Sequence, residues 1–353
     1  MAWPFPSPYP TLLGDDPALG LALDGALAET LAAFPGIQLP YRTAISIVAI
    51  DETISPPDFR HAGLRYGETF YSASLLKVAA MYGAYELHSR ASEVAAQVST
   101  AAEFFARIRA EFDSKIDAAV PAISLSPDLT PAMRRPKYEQ IFTTLPLPDG
   151  GLALEFRGDF ETQLKQMIIN GRNDAAAACV TALGYGWINA TLHAGGFFFP
   201  PAQSGIWLAG TFVGAMPAVR VPSVNDGPVA QATTCFDMAN LYAHIFQGTL
   251  VNNDSSRNML AMLATGAAVG DEPSYMDYTR RRVPPRQFTV THTKIGRGPL
   301  KTGEIVLSDG SIVERPASGH RFIVVWQNTF SDDTSLAAIG FLVERTIERF
   351  LSP

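Results

Sequence analysis

Ser74-Leu75-Leu76-Lys77, at the head of the apolar run Leu75–Leu87, decides the reading of this 353-residue chain. It sets a hydroxyl and an amine three positions apart, and residues at that spacing share a helix face. A serine is a weak nucleophile until a neighbour takes its proton, and a desolvated lysine with a lowered pKa can do so without any histidine. The unpaired N–H groups of a helix start can then hold the oxyanion of an acyl-transfer intermediate. Ser-x-x-Lys also arises by chance as a solvated pair on a surface turn, so two further segments carry the argument.

Met167-Ile168-Ile169-Asn170-Gly171-Arg172-Asn173-Asp174 leads into an alanine run and Leu183-Gly184. It resembles the second motif of serine β-lactamases and penicillin-binding proteins, Ser-x-Asn, with the Asn kept as Asn173 and the Ser position read as Gly171. The third motif of that superfamily is Lys-Thr/Ser-Gly on a strand. Lys301-Thr302-Gly303 fits its letters, and Lys294-Ile295-Gly296 fits its position. In class A β-lactamases, the family the layout most resembles, the motif strand is followed by two more strands and a C-terminal helix. Taking Gln287–Lys294 as that strand leaves Leu300–Leu307 and His320–Gln327 for the two strands and Ser335–Leu351 for the helix, whereas Lys301 uses up one strand too early. Ser308-Asp309-Gly310 reads as the turn between the last two strands.

The resemblance implies an α/β, β-lactamase-like fold: an antiparallel sheet flanked by N- and C-terminal helices, plus an inserted all-α domain. Residues 1–70 and 285–353 form the sheet domain, and 71–284 an all-helical one with an expansion at about 92–160. It implies Ser74, Lys77, Asn173 and Lys294 as catalytic residues. Gly296, Arg297 and Arg172 are the substrate-binding candidates, with the N–H groups of Ser74 and Arg297 as the oxyanion donors. No cofactor or metal is expected, and the substrate is a small-molecule ester, amide or lactam.

Along the chain, Asp16-Pro17 is a cap with a first-turn proline ahead of Leu19, Leu23, Leu27 and Leu31, and Pro35-Gly36 stops that helix. Ala44–Ile50 reads as a buried strand with a hairpin partner around His61–Tyr66. Pro121–Pro148 reads in part as an irregular excursion. Phe160–Ile169, Asp174–Leu183, Gly186–His193, a capped helix from Thr234 to Phe246, and Ser256–Leu263 read as helices.

The loop Ala194–Ala232 bears on the second half of the chemistry. In class A β-lactamases this region carries a glutamate that activates the water which hydrolyses the acyl-enzyme. Here it has no Glu, and its one acid is Asp226, in Ser223-Val224-Asn225-Asp226-Gly227. That is a turn sequence, with a catalytic base as the sharper alternative. Gly171 also lacks the hydroxyl that passes a proton toward the leaving group. His292 aligns with Lys294 as a candidate proton donor or as a packed ring. Phe197-Phe198-Phe199 reads as core packing or as an acyl pocket. Two functions therefore stay open: an acyl-serine hydrolase or acyltransferase with slow deacylation, and a degenerate member that binds a ligand or partner without turnover.

A net charge of −7 argues against a nucleic-acid partner. No segment has the roughly 18 consecutive apolar residues of a membrane span. Met1-Ala2-Trp3-Pro4 lacks a signal-peptide pattern. The expectation is thus a cytoplasmic protein with no membrane partner, or else an exported one trimmed of its leader. Cys179 and Cys235 lie in apolar helical patterns as buried free thiols, a disulfide being the alternative. Oligomeric state is not legible.

Overall fold

The computed structural model describes residues 4–123, 130–148, 150–214, 219–271, 274–276 and 288–352. A six-stranded sheet runs in the order Leu13–Asp15, Asp58–Leu64, Ala44–Asp51, His320–Phe330, Ile305–Arg315, Thr289–Pro299. The short first strand pairs in parallel with Asp58–Leu64, and every other pairing is antiparallel.

The strand alternation sorts two cores. Ile45, Ile47 and Ala49, with Phe322, Val324 and Trp326, face the helices Pro17–Ala33 and Asp333–Leu351. Val48 and Ile50, with Ile323 and Val325, face the inserted segment. Period-2 patterning with both faces apolar is what a sheet covered on two sides requires. The first helix begins where the sequence places it, with Asp16 Oδ1 accepting a hydrogen bond from the Leu19 amide at 2.9 Å and Pro17 in its first turn.

The inserted segment is built around Lys77–Ala95, buried on nearly all sides as expected of a helix apolar all round. Gly158–Ile169, Asn173–Leu183, Tyr185–Ala194, Cys235–Gln247 and Asn253–Val269 surround it. Thr234 caps the fourth of these by accepting from the Asp237 amide at 2.9 Å, and Gly248 closes it in a left-handed conformation. Among the described residues no single helix is long and apolar enough to cross a membrane.

Three expectations need correction. The inserted segment is not all helical: Phe142–Pro146 and Leu152–Phe156 form a hairpin, and Phe70–Tyr71, Gln231–Thr233 and Trp207–Leu208 form a small sheet. The expanded region also holds the helix Ala101–Ile123, whose Phe104, Ile108, Phe112 and Ile116 recur every fourth residue and are buried. Residues 124–129 of the expected excursion lie outside the described residues, as does the boundary at 284/285.

The third correction is that Ser308-Asp309-Gly310 lies inside the strand Ile305–Arg315. The chain turns after Arg315, whose carbonyl accepts from the amides of Ser318 and Gly319. Asp309 is buried and serves as an acceptor hub. It takes hydrogen bonds from Ser274 Oγ at 2.7 Å, the Tyr275 amide at 2.9 Å and Thr293 Oγ1 at 3.1 Å, and from Ser311 Oγ. Those donors outweigh the turn propensity of an Asp-Gly pair.

Candidate active site

Ser74 does not sit in the α-helix itself. It lies in a 3₁₀ turn, Ala73–Leu76, that feeds into the helix at Lys77. In 3₁₀ geometry side chains three apart eclipse, so Ser74 and Lys77 line up more directly than in an α-helix. Ala73 has φ +46°, a conformation that non-glycine residues rarely adopt and one that turns the chain sharply just before Ser74. The turn is held from below by the Ser72 carbonyl, which accepts from the Leu75 amide at 3.2 Å and from Ser308 Oγ at 2.8 Å.

Lys77 is 0% exposed. Its amine donates to Asn173 Oδ1 at 2.9 Å and to the Gly171 carbonyl. Gly171 has φ +68°, and this left-handed residue aims its carbonyl at the amine just before the Asn173–Leu183 helix begins. The ring of Phe212 lies over the same amine, with its centroid 5.3 Å from Nζ.

The edge strand Thr289–Pro299 closes the third side. Lys294, Gly296 and Gly298 share one face of it, with Gly310 and Ser308 beside them on the next strand. That face meets the Ser74 turn: a Cβ on Gly296 would run into the Ser72 carbonyl and Ser308 Oγ and lie 2.9 Å from the Leu75 amide, and one on Gly298 would strike the Tyr71 hydroxyl. Glycine is therefore needed here for close approach of the strand to the turn. Lys294 projects from the same face and is 2% exposed.

No family model and no curated protein matches the chain. The fold, by contrast, has clear counterparts. A β-lactamase from Sphaerobacter thermophilus aligns over 94% of this chain and 98% of its own at 18% identity, with a TM-score of 0.50. A class A β-lactamase from Bacteroides cellulosilyticus aligns over 96% and 100% at 11% identity and a TM-score of 0.51. The TLA-3 extended-spectrum β-lactamase aligns over 94% and 100% at 11% identity and a TM-score of 0.53. The chain has the serine β-lactamase fold.

Within the β-lactamase fold of this chain, the choice between the two lysines rests on position. Lys301 is exposed in the turn after the edge strand. Its amine donates to the carbonyls of Asp226 and Pro228 at 2.8 and 2.9 Å, and its amide donates to Asp226 Oδ1 at 2.7 Å. The same contacts place Asp226 at the tip of the hairpin Val221–Ser223 and Gly227–Val229, bound to a surface turn. Arg172 is exposed as well. It forms a paired contact with Asp174 at 2.6 and 3.0 Å, which draws the Asp174 carboxyl down to about 2.

Arg297 has an exposed side chain on the edge strand. His292 faces Ile312 across the strand pair and bonds Thr291 Oγ1 at 2.8 Å. Burial, with the charge of Arg321, pushes its pKa down to about 4, so it is a neutral packed ring. Phe197 and Phe198 are core residues, whereas Phe199 is 50% exposed. Cys179 and Cys235 are buried free thiols, and burial pushes the Cys179 thiol up to about 12.

The sequence reading did not anticipate the Gly171 carbonyl or Phe212. A glycine ahead of Asn173 is a signal for a positive φ, but it registers first as a missing serine. Thr211-Phe212-Val213 carries no pattern at all.

Proposed function

We propose that the protein is an acyl-serine enzyme, a serine hydrolase or acyltransferase acting on a small-molecule ester, amide or lactam. The observation that supports this most directly is the hydrogen bond from the buried Lys77 amine to Asn173, at the foot of the turn that presents Ser74. Full burial takes the amine out of water, the condition under which a lysine serves as a base. Hydrogen bonds to Asn173 and to the Gly171 carbonyl hold the amine in place beside that turn.

In the first step the Ser74 Oγ proton passes to Lys77 Nζ, and Oγ bonds to the substrate carbonyl carbon. The N–H groups of Ser74 and Arg297 receive the developing oxyanion, where the glycine-lined strand comes closest to the turn. Lys294 orients a substrate carboxylate or polar group, and Asn173 holds Lys77 in line. The bond from the carbonyl carbon to the leaving group then breaks, the leaving group takes up the proton held on Lys77 Nζ, and the acyl group stays on Ser74.

One feature favours binding without turnover: Gly171 offers no hydroxyl to pass a proton to the leaving group. Rapid mixing with p-nitrophenyl acetate separates the two readings. The acyl-serine reading expects a burst of nitrophenolate stoichiometric with protein, lost in Ser74→Ala. A binding protein gives no burst.

A further inference from the structure

Phe212 lies over the catalytic lysine from the loop that follows Trp207–Leu208. Its ring centroid is within cation–π range of Nζ, and the ring packs against the main core. It holds φ +64°. For a bulky side chain such a conformation is uncommon and persists only where the surroundings impose it.

We infer that Phe212 is a specificity-determining residue: it covers the Lys77 amine against water, so that an acyl group on Ser74 passes to an alcohol or amine with an apolar body rather than to water. This deepens the acyl-serine reading and rests on it. Lys77, three positions on from Ser74 in the same helical turn, is the base of the proposed acylation, so the second nucleophile gives up its proton to the same amine. A bound water needs two to four polar partners, and the aromatic face over Nζ supplies none. An alcohol with an aryl or alkyl body lays that body on the ring with its hydroxyl toward Nζ. Its O–H proton then passes to Nζ, its oxygen bonds to the acyl carbon, the carbon–Oγ bond breaks, and Oγ recovers the proton from Nζ. The products are a new ester and free Ser74.

The test is the decay of the Ser74 acetyl adduct, formed from p-nitrophenyl acetate and followed by intact mass once excess ester is removed. Decay timed this way does not depend on how fast the adduct formed. Wild type should decay slowly in buffer, and faster with 2-phenylethanol than with ethanol at equal concentration. Phe212→Asn, which tolerates the left-handed backbone, should decay roughly tenfold faster in buffer or more, a change of about 1.4 kcal/mol in barrier, and should lose the preference for phenylethanol. Phe212→Tyr, which keeps the ring, should behave as wild type. Decay of Phe212→Asn at the wild-type rate, or a wild type indifferent to the two alcohols, overturns the role of Phe212. A wild type that forms no adduct instead overturns the acyl-serine reading and this inference with it.

Discussion

The Lys77 amine donates a 2.9 Å hydrogen bond to Asn173 Oδ1, joining residues 96 positions apart in the chain. The bond ties the helix behind Ser74 to the start of the Asn173–Leu183 helix and fixes the lysine that the proposed chemistry needs. A hydrogen bond between uncharged groups contributes about 0.5–1.5 kcal/mol, which corresponds to roughly 2- to 12-fold in rate. Asn173→Ala should slow acylation by an amount in that range, read as the burst rate with an activated ester. An unchanged burst rate would mean that Gly171 alone positions the amine.

Lys294 and Lys301 should separate cleanly. Lys294 is buried on the face that meets the Ser74 turn, whereas Lys301 is exposed and bonded to a neighbouring hairpin. Lys294→Ala should lower acylation by roughly 10²–10³-fold, as loss of a preorganised site group does. Lys301→Ala should leave acylation intact and shift stability by no more than about 0.5 kcal/mol. The reverse pattern would contradict the placement of the edge strand.

Gly296 is where the strand and the turn come closest. Gly296→Ala drives a methyl into the Ser72 carbonyl and Ser308 Oγ, and overpacking of this kind costs about 1–3 kcal/mol. Denaturant unfolding should show that loss, together with a weakened burst as the strand moves back from Ser74. Unchanged stability would show that the approach is looser than described.

Asp309 gives the fold a pH signature. Burial, against four hydrogen bonds that favour the charged form, pushes its carboxyl up from 3.8 to about 6. The folded state therefore binds a proton more readily than the unfolded chain, and the associated stability is full below about pH 4 and lost as pH rises through about 6. The stability of wild type relative to Asp309→Asn should fall between pH 4 and 7, measured by denaturant unfolding. A difference that stays flat across this window would show that the carboxyl is not raised.

What was legible in the sequence came from patterns with a fixed period or a fixed chemical demand. Ser74 and Lys77 are one turn apart in any helical geometry. Strand order alone placed Lys294, rather than the better-spelled Lys301, inside the edge strand. Asp16 and Thr234 marked their helix starts. Local signals failed where distant partners decide the outcome. Ser308-Asp309-Gly310 spells a turn, yet Ser274 and Thr293 hold Asp309 inside a strand, and neither is adjacent in sequence. The Phe104, Ile108, Phe112 and Ile116 stripe was visible but hidden by the proline-rich stretch after it. The strained Phe212 had no signal, because its position depends on Lys77, more than a hundred residues away.

Acylation at Ser74 is tested most directly by intact mass with peptide mapping after exposure to a fluorophosphonate, an activated ester and a penicillin. The expected result is a single adduct on the peptide carrying Ser74, absent from Ser74→Ala and slow to hydrolyse when the acyl group comes from the penicillin. An adduct that persists in Ser74→Ala, or a wild type that stays unmodified by all three probes, would contradict it.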